Sequence, residues 1–251
     1  MSIAQKFYDS LAKHYDKLFL DWEEESRGQA LIIQKLFNEC GYNKSSKILD
    51  CACGIGTQAI GLAKLGYNIT ASDFSERELE EANRRAGRAK VDIPFKNADF
   101  CELTKTFDEK FDIVIAIDNA LPHMLTKDDL ALAVKSIVCQ IKYDGIFIGS
   151  IRDYDAILKD KPTYSPPYIH KTKFGQRVAF QTWDWRGDIY KFTQYIIEDE
   201  QSLRVNKFEC EYRAIRREEL TELFYSCGCK EVCWKFSEET AFYQPIIIAK
   251  K

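Results

Sequence analysis

The chain has 251 residues, 45% of them hydrophobic and 13% aromatic, which is enough to bury the core of one large domain with a small addition. Its formal net charge is −3, with both signs mixed, so it lacks the basic excess of a dedicated nucleic-acid binder. No apolar run reaches the roughly twenty residues that cross a bilayer, and the first residues lack the apolar core of a signal peptide.

The first half of the chain alternates between helix-like and strand-like patterns. Residues 3–39 have apolar and aromatic side chains at helical spacing, and Gly41 provides a stop. Strands are predicted at residues 47–51, 68–73, 93–97, 112–117 and 145–151. Helices are predicted at residues 57–65, 75–89 and 127–141. Because strands that alternate with helices need crossover connections, this order predicts a doubly wound α/β domain with a parallel sheet.

The pattern changes after residue 151. Three prolines, Pro162, Pro166 and Pro167, predict an ordered loop over residues 152–170. Period-two alternation then predicts an antiparallel sheet with one covered face, whose strands are residues 177–185, 189–200 and 203–215. A helix at 216–227 and closing strands at 230–236 and 244–250 end the chain.

These patterns divide the chain into three parts. Residues 46–151 and 216–251 are predicted to form one Rossmann-like domain, residues 152–215 an antiparallel cap inserted into it, and residues 1–45 a helical lid. The nine cysteines are an odd number, which argues against a disulfide framework and favours a reducing cytoplasm. Three of them lie close together near the C-terminus, but no second cluster or histidine accompanies them, so no metal site is predicted.

A glycine loop joins the first strand to the next helix. Glycines at such a turn let the backbone approach a ligand at the carboxyl edge of the sheet. Gly54-x-Gly56-x-x-Ala59 also satisfies the dinucleotide fingerprint, so a nicotinamide-dependent oxidoreductase is one interpretation of the loop.

Aspartates at three consecutive strand ends favour a different ligand. Asp50 ends the first strand, where a carboxylate can order the loop or meet a cationic amino-acid group but does not favour a phosphate. Asp73 ends the second strand and can accept hydrogen bonds from ribose hydroxyls. Asp99 follows the third strand and can accept from an adenine amino group, with Phe100 packing on the ring.

Two motifs resemble those of the class I S-adenosylmethionine methyltransferases. Ile48-Leu49-Asp50-Cys51-Ala52-Cys53-Gly54-Ile55-Gly56 is similar to their first motif, and Phe111-Asp112-Ile113-Val114-Ile115 to their fourth-strand motif. The C-terminal antiparallel strand pair also matches their usual arrangement. The resemblance implies S-adenosylmethionine as cofactor and S-adenosylhomocysteine as product. It implies a cofactor site made of Asp50, Cys53, Gly54, Gly56, Asp73, Phe74, Asp99, Phe100 and Asp118.

Three further segments resemble the glycine and sarcosine N-methyltransferases. They are residues 15–22, 116–123 and 150–155, and the inserted cap also fits that family. The resemblance implies that Arg152 holds an amino-acid carboxylate, that Asn119 positions the amine and that Tyr15 covers the site. Asp118 stands where the glycine enzymes have a small residue, so a carboxylate is expected in or beside the site, which favours a cationic or polar acceptor.

Several assignments have alternatives. Arg152 could form a structural salt bridge with Asp153 or Asp155 instead of binding substrate. His123 could be a catalytic base or a neutral packing residue. Aromatic cap residues could form a cage for a methylated amine or pack the cap, and these are Trp183, Trp185, Tyr154 and Tyr168.

The sequence therefore predicts a methyltransferase that acts on the amine of a small, glycine- or sarcosine-like carboxylate. The alternatives are an O- or S-methyltransferase, a nicotinamide-dependent oxidoreductase and a non-catalytic S-adenosylmethionine-binding protein. A small molecule is the expected partner, without nucleic acid or membrane, and a monomer or small homo-oligomer is expected.

Overall fold

The computed structural model describes residues 2–172, 175–199 and 202–251. The first half contains α1 (Ile3–Leu11), α2 (Trp22–Glu39), β1 (Lys47–Asp50), α3 (Thr57–Lys64), β2 (Asn68–Asp73), α4 (Glu76–Ala89), β3 (Phe95–Asn97), β4 (Phe111–Ala116), α5 (Lys127–Gln140) and β5 (Ile141–Ser150). The second half contains α6 (Tyr154–Asp160), β6 (Tyr168–Thr172), β7 (Gly175–Arg186), β8 (Ile189–Asp199), β9 (Leu203–Arg213), α7 (Arg217–Ser226), β10 (Glu231–Lys235), α8 (Ser237–Thr240) and β11 (Ile246–Lys250). Short 3-10 turns lie at Tyr15–Leu18, Leu103–Lys105 and Leu121–His123.

The larger sheet has seven strands in the order β3-β2-β1-β4-β5-β11-β10. The strands from β3 to β5 are parallel to their neighbours, whereas β11 is antiparallel to both β5 and β10. This arrangement confirms the predicted doubly wound sheet and its C-terminal antiparallel pair. The strand order reverses between β1 and β4, and such a switch point leaves a crevice at the carboxyl ends of the strands.

The parallel strands are apolar because helices cover both faces of the sheet. Ile113, Val114 and Ile115 in β4 are all fully buried. At the edge of this layer, the side chain of Ser75 accepts the backbone amide of Glu78 at 3.2 Å and begins α4, as the sequence predicts.

The second sheet is antiparallel, in the order β6-β7-β8-β9. Gly187, with φ at 66°, makes the predicted turn between β7 and β8. One face packs on the rest of the chain, since the Phe192 ring meets Phe7 of α1 edge to face at 5.9 Å. The sequence did not predict β6, and residue 200, the end of a predicted strand, lies outside the described residues.

Two predicted segments were wrong. Residues 3–39 are not one helix, because the chain is extended at Phe19 and Asp21 caps a new helix by accepting the amides of Glu23 and Glu24. Residues 152–170 are not all loop, because Asp153 caps α6 by accepting the amide of Ala156 at 3.2 Å. Among the described residues, no helix is long and apolar enough to span a membrane.

Candidate active site

Two cavities lie at the carboxyl edge of the parallel sheet. The first has a volume of about 290 Å³ and is lined by the glycine loop and by residues that follow β2, β3 and β4. The second has a volume of about 390 Å³ and lies between the end of β5 and the antiparallel sheet. Tyr8, Tyr15 and Asp118 line both cavities, so the two spaces meet at these three side chains.

The glycine loop is fixed by the carboxylate of Asp73. One oxygen accepts the amide of Gly54 at 2.9 Å, and the other accepts the amide of Ser75 at 2.9 Å. Gly54 lines the first cavity with φ at 52°, and a Cβ there would lie 2.6 Å from Oε2 of Glu78. Any side chain at this position would therefore be strained and would intrude on the cavity wall.

Gly56 has a structural role in the loop. It lines neither of these cavities, and it has φ at 87° as the N-cap of α3. A Cβ there would lie 2.9 Å from Cδ1 of Ile60. The glycine is therefore needed for the turn and for close packing inside the domain, and its place at the cofactor stays a prediction.

Asp50 lies behind the loop and does not line either cavity. Its Oδ1 accepts the amide of Ala52 at 3.3 Å, whereas its buried Oδ2 has no partner among the described residues. Burial, and after it the charges of Asp73 and Asp118, raises the pKa of Asp50 to about 8. Of its two predicted roles, the geometry supports ordering of the loop.

The remaining predicted cofactor residues come together in the first cavity. Asp73, Phe74, Asp99 and Phe100 line it, with Cys53 at the loop. Burial raises the pKa of Asp73 to about 6, although its hydrogen bonds with backbone amides oppose this change. Two carboxylates beside two phenyl rings can hold a nucleoside, because ribose hydroxyls donate to carboxylates and a base packs on aromatic faces.

The sequence analysis missed several residues of this cavity, among them Glu78 and Tyr8. Glu78 is 1% exposed, and its Oε1 has no hydrogen-bond partner among the described residues. The spacing Ser75-x-x-Glu78 is that of a capping box, in which the glutamate would bind the amide of Ser75. The amide of Ser75 donates to the carboxylate of Asp73 instead. The carboxyl group of Glu78 therefore does not cap the helix and faces the cavity. Tyr8 also lines this cavity from α1, and nothing in its spacing marks it.

A closed ring of hydrogen bonds holds Arg152 and Asn119, two residues that line the second cavity. Nη1 of Arg152 donates to the hydroxyl of Tyr190 at 3.1 Å, which is 2.9 Å from the hydroxyl of Tyr154. Tyr154 donates to Oδ1 of Asn119 at 3.1 Å, and the amide of Arg152 donates to the same oxygen at 3.0 Å. Nδ2 of Asn119 is buried and has no partner in the described part of the chain.

Arg152 has only neutral partners. Nη2 donates to Oε1 of Gln181 at 3.1 Å, and the guanidinium lies 5.0 Å from the ring centre of Trp183. Asp153 and Asp155, the predicted alternative partners, pair with Arg217 instead. The salt-bridge alternative is therefore wrong, and a permanent cation faces the cavity without an ion pair to any described carboxylate.

His123 and Tyr15 differ in their surroundings. Nε2 of His123 lies 2.8 Å from the hydroxyl of Tyr8, and its ring is 4.3 Å from that of Tyr212. Burial lowers the pKa of His123 to about 3, so the packing alternative is favoured over a catalytic base.

Tyr15 lies where the two cavities meet, and its position over both is consistent with the predicted cover.

The aromatic residues of the cap do not form a free cage. Trp183 faces the guanidinium of Arg152, and the ring of Trp185 lies 4.5 Å from that of Tyr190. Tyr168 is 61% exposed at the rim. Within residues 2–172, 175–199 and 202–251, no group of three His, Cys, Asp or Glu side chains is placed to hold a metal ion.

Comparison with known proteins identifies the domain. A family described as a methyltransferase domain matches residues 48–145, which include the glycine loop and β4. Residues 48–145 are a class I methyltransferase domain. An antiparallel strand also distinguishes this sheet from the classic dinucleotide-binding order, so the oxidoreductase interpretation of the glycine loop is not supported.

The methyltransferase domain has relatives in sequence and in structure. The chain is 28% identical over 163 residues to the glycine/sarcosine N-methyltransferase of Aphanothece halophytica, which covers 63% of this chain and 60% of that protein. The chain therefore spans less than two thirds of the length of that curated relative.

Solved structures with the same fold cover almost the whole chain. A S-adenosylmethionine-dependent methyltransferase from Clostridium acetobutylicum has a TM-score of 0.75 at 19% identity, covering 97% of this chain and 98% of that chain. CalS10, an amino pentose methyltransferase from Micromonospora echinaspora with S-adenosylmethionine bound, has a TM-score of 0.72 at 15% identity, covering 90% and 91%. At these identities the likeness shows the fold.

Proposed function

We propose that this protein transfers a methyl group from S-adenosylmethionine to the amine of a small metabolite that also bears a carboxylate. The first cavity supports the cofactor, since its carboxylates, rings and open glycine backbone suit a ribose, an adenine and a methionine chain. The glycine/sarcosine N-methyltransferase relative supports an amine acceptor, and CalS10, which has the same fold with S-adenosylmethionine bound, supports the cofactor.

One observation carries the choice of acceptor. The guanidinium of Arg152 faces the second cavity, where Tyr190 and Gln181 are neutral hydrogen-bond partners and no carboxylate of the described residues forms an ion pair with it. A buried cation without a counter-ion is costly, and a carboxylate ligand relieves that cost with two charge-assisted hydrogen bonds. Nδ2 of Asn119, unpartnered and buried, adds a donor on the same side.

Methyl transfer from a sulfonium depends more on the alignment of donor and acceptor than on acid catalysis. When bound, the sulfonium supplies an activated methyl group whose positive charge disperses during transfer. Arg152 and Asn119 would fix the acceptor in the second cavity, and Tyr8 and Tyr15 would exclude water where the two cavities meet. Holding the reacting groups in line provides much of the rate enhancement in such reactions.

A methyl-transfer assay tests this proposal. Labelled S-adenosylmethionine is incubated with the protein and a panel of amino acids, simple amines, hydroxy acids, thiols and phenols. Transfer to compounds with both an amine and a carboxylate is expected. Transfer confined to thiols, phenols or hydroxy acids would identify an S- or O-methyltransferase, and binding of the cofactor with no transfer would contradict a catalytic function.

A further inference from the structure

Asp118 occupies an unusual position between the two cavities. It follows β4 with φ at 60°, and Asn119 continues the left-handed backbone with φ at 67°. The backbone amide of Asp118 donates to Oγ of Ser150 at 2.9 Å, which holds the backbone in this conformation. Its side chain lines both cavities, so it lies where a methyl group would pass from donor to acceptor.

The carboxylate of Asp118 is hydrogen-bonded but has no cationic partner among the described residues. Oδ2 accepts Nε2 of Gln58 at 2.9 Å, and Oδ1 accepts the hydroxyl of Tyr243. Gln58 is itself fixed, because the same Nε2 donates to Oε1 of Gln29 at 2.6 Å. A carboxylate oxygen can accept more than one hydrogen bond, so both oxygens keep capacity for a ligand.

We propose that Asp118 binds the ammonium group of the acceptor and removes one proton from it before methyl transfer. This inference rests on the proposed function and narrows it. With Arg152 on one side and Asp118 on the other, the acceptor is a zwitterion whose carboxylate binds the guanidinium and whose amine faces the donor cavity.

The protons and electron pairs of this step balance. The ammonium gives a proton to the Asp118 carboxylate, which leaves a neutral amine with a free electron pair. That pair forms the new nitrogen–carbon bond as the carbon–sulfur bond breaks, and the sulfur keeps the bonding electrons. The product is a methylated ammonium beside a neutral thioether. The proton held by Asp118 then leaves for solvent on the side of Tyr243, a residue that is 60% exposed.

The surroundings of Asp118 suit a base. Burial raises the pKa of its carboxyl group, the hydrogen bonds from Tyr243 and Gln58 lower it in part, and the charge of Glu25 raises it again. A carboxylate with a raised pKa holds a proton better than an exposed one does. The groups that face it from the surrounding elements are Glu25 of α2, Tyr15 of the 3-10 turn, Asp50 of β1, Gln58 of α3 and Tyr243 after α8.

The test is the pH dependence of kcat/KM for the wild type and for Asp118→Asn. Probes are glycine, sarcosine and β-alanine, with methylamine and glycolate as counterparts that lack one charged group. In the wild type, kcat/KM levels off once Asp118 is ionised, well below the pKa of the amine. In Asp118→Asn, kcat/KM is about 100-fold lower at pH 7 and keeps rising with pH towards about 10, where an aliphatic ammonium ionises.

Two further variants make the test specific. Glu25→Gln removes a neighbouring charge without altering either cavity lining, so its profile keeps the wild-type shape and moves to slightly lower pH. Tyr243→Phe removes a hydrogen bond that lowers the pKa of Asp118, so its acid limb moves to higher pH. This second variant decides the question if Asp118→Asn fails to fold or to bind S-adenosylhomocysteine.

The outcomes separate the two proposals. Amino-acid methylation with the same pH profile in Asp118→Asn and in the wild type, or a Tyr243→Phe profile without a shift, would overturn the role of Asp118 and leave the proposed function intact. Transfer to glycolate, thiols or phenols but to no amine would overturn both the amine acceptor and the role of Asp118. No transfer to any probe would contradict the proposed function itself.

Discussion

The backbone amide of Arg152 donates to the side-chain oxygen of Asn119 at 3.0 Å, which ties the end of β5 to the end of β4. The same oxygen accepts the hydroxyl of Tyr154, and Tyr190 completes the ring back to the guanidinium. The side chain proposed to bind the carboxylate is therefore oriented by three neutral residues before any ligand arrives. Such orientation lowers the entropic cost of binding.

Tyr190→Phe should interrupt this ring while preserving the packing of the phenyl group. We expect KM for an amino-acid acceptor to rise about tenfold, because Arg152 loses one of its hydrogen bonds and becomes less ordered. The affinity for S-adenosylhomocysteine should not change. Tyr195→Phe, on the same strand, is the control, and an equal effect of both substitutions would show that the ring has no specific role.

Arg152→Ala should spare cofactor affinity and lower kcat/KM for a carboxylate-bearing acceptor by about 100-fold, since two charge-assisted hydrogen bonds are lost. Arg152→Lys should recover only part of this activity, because a lysine lacks the planar fork. Steady-state kinetics and titration calorimetry measure the two quantities. Arg186→Ala, an exposed arginine of the cap, serves as control. Unchanged turnover in Arg152→Ala would refute the carboxylate site.

Asp73→Ala should weaken binding of S-adenosylhomocysteine by more than about tenfold, measured by titration calorimetry. The aspartate is expected to accept ribose hydroxyls, and it also holds the amides of Gly54 and Ser75. Asp92→Asn, at an exposed position away from both cavities, should leave the affinity unchanged. Full affinity in Asp73→Ala would mean that the nucleoside lies elsewhere.

The two glycines of the loop should respond differently to alanine. Gly56→Ala introduces a methyl group against Ile60 at a positive φ, so we expect a loss of about 2 kcal/mol in the free energy of unfolding. Gly54→Ala adds its methyl group beside Glu78 in the cavity wall, so cofactor affinity should fall more than stability. Denaturant unfolding and calorimetry separate the effects, and a mainly affinity-related loss in Gly56→Ala would reverse this assignment.

Stability should depend on pH through Asp50. An unfolded aspartate has a pKa of about 3.9, whereas the folded value here is about 8, so the folded chain binds more protons between these limits. The contribution of Asp50 to the free energy of unfolding therefore falls as pH rises from 4 to 8. Asp50→Asn removes this loss and should raise Tm by several degrees at pH 8 relative to the wild type.

The same substitution should have a smaller effect at pH 5, where the wild-type carboxyl group is protonated in the folded chain. Thermal unfolding at pH 5, 6.5 and 8 measures this difference. Asp92→Asn provides an exposed control. Parallel Tm curves for Asp50→Asn and the wild type would show that Asp50 is ionised in both states.

The larger sheet could be predicted because its strands are continuous apolar runs and its helices have caps close in sequence. The break between α1 and α2 was missed because apolar residues keep helical spacing through it, although Asp21 followed by acidic residues is an N-cap pattern. The α6 helix was missed because the prolines dominated the local pattern, yet Pro162 lies just beyond the helix end.

The candidate site was predictable where strand ends define it. Asp73 ends a strand of the parallel sheet, and Asp99 and Arg152 each come two residues after one, so topology alone brings them to one edge. Tyr8, Glu78, Gln181, Tyr190 and Tyr243 come from helices, the antiparallel sheet and the C-terminal connection. These residues come together only through tertiary packing, which cannot be predicted from the spacing of residues in the sequence.

Two consecutive left-handed residues, Asp118 and Asn119, store conformational energy of about 1–2 kcal/mol each. Ser150 compensates for it, because its hydroxyl accepts the amide of Asp118 and its carbonyl accepts the amide of Asn119. Ser150 itself lines neither cavity. A substitution of Ser150 in evolution would therefore release this backbone conformation and reorient the side chains of Asp118 and Asn119. The proposed acceptor specificity would then change through a residue that does not contact the acceptor.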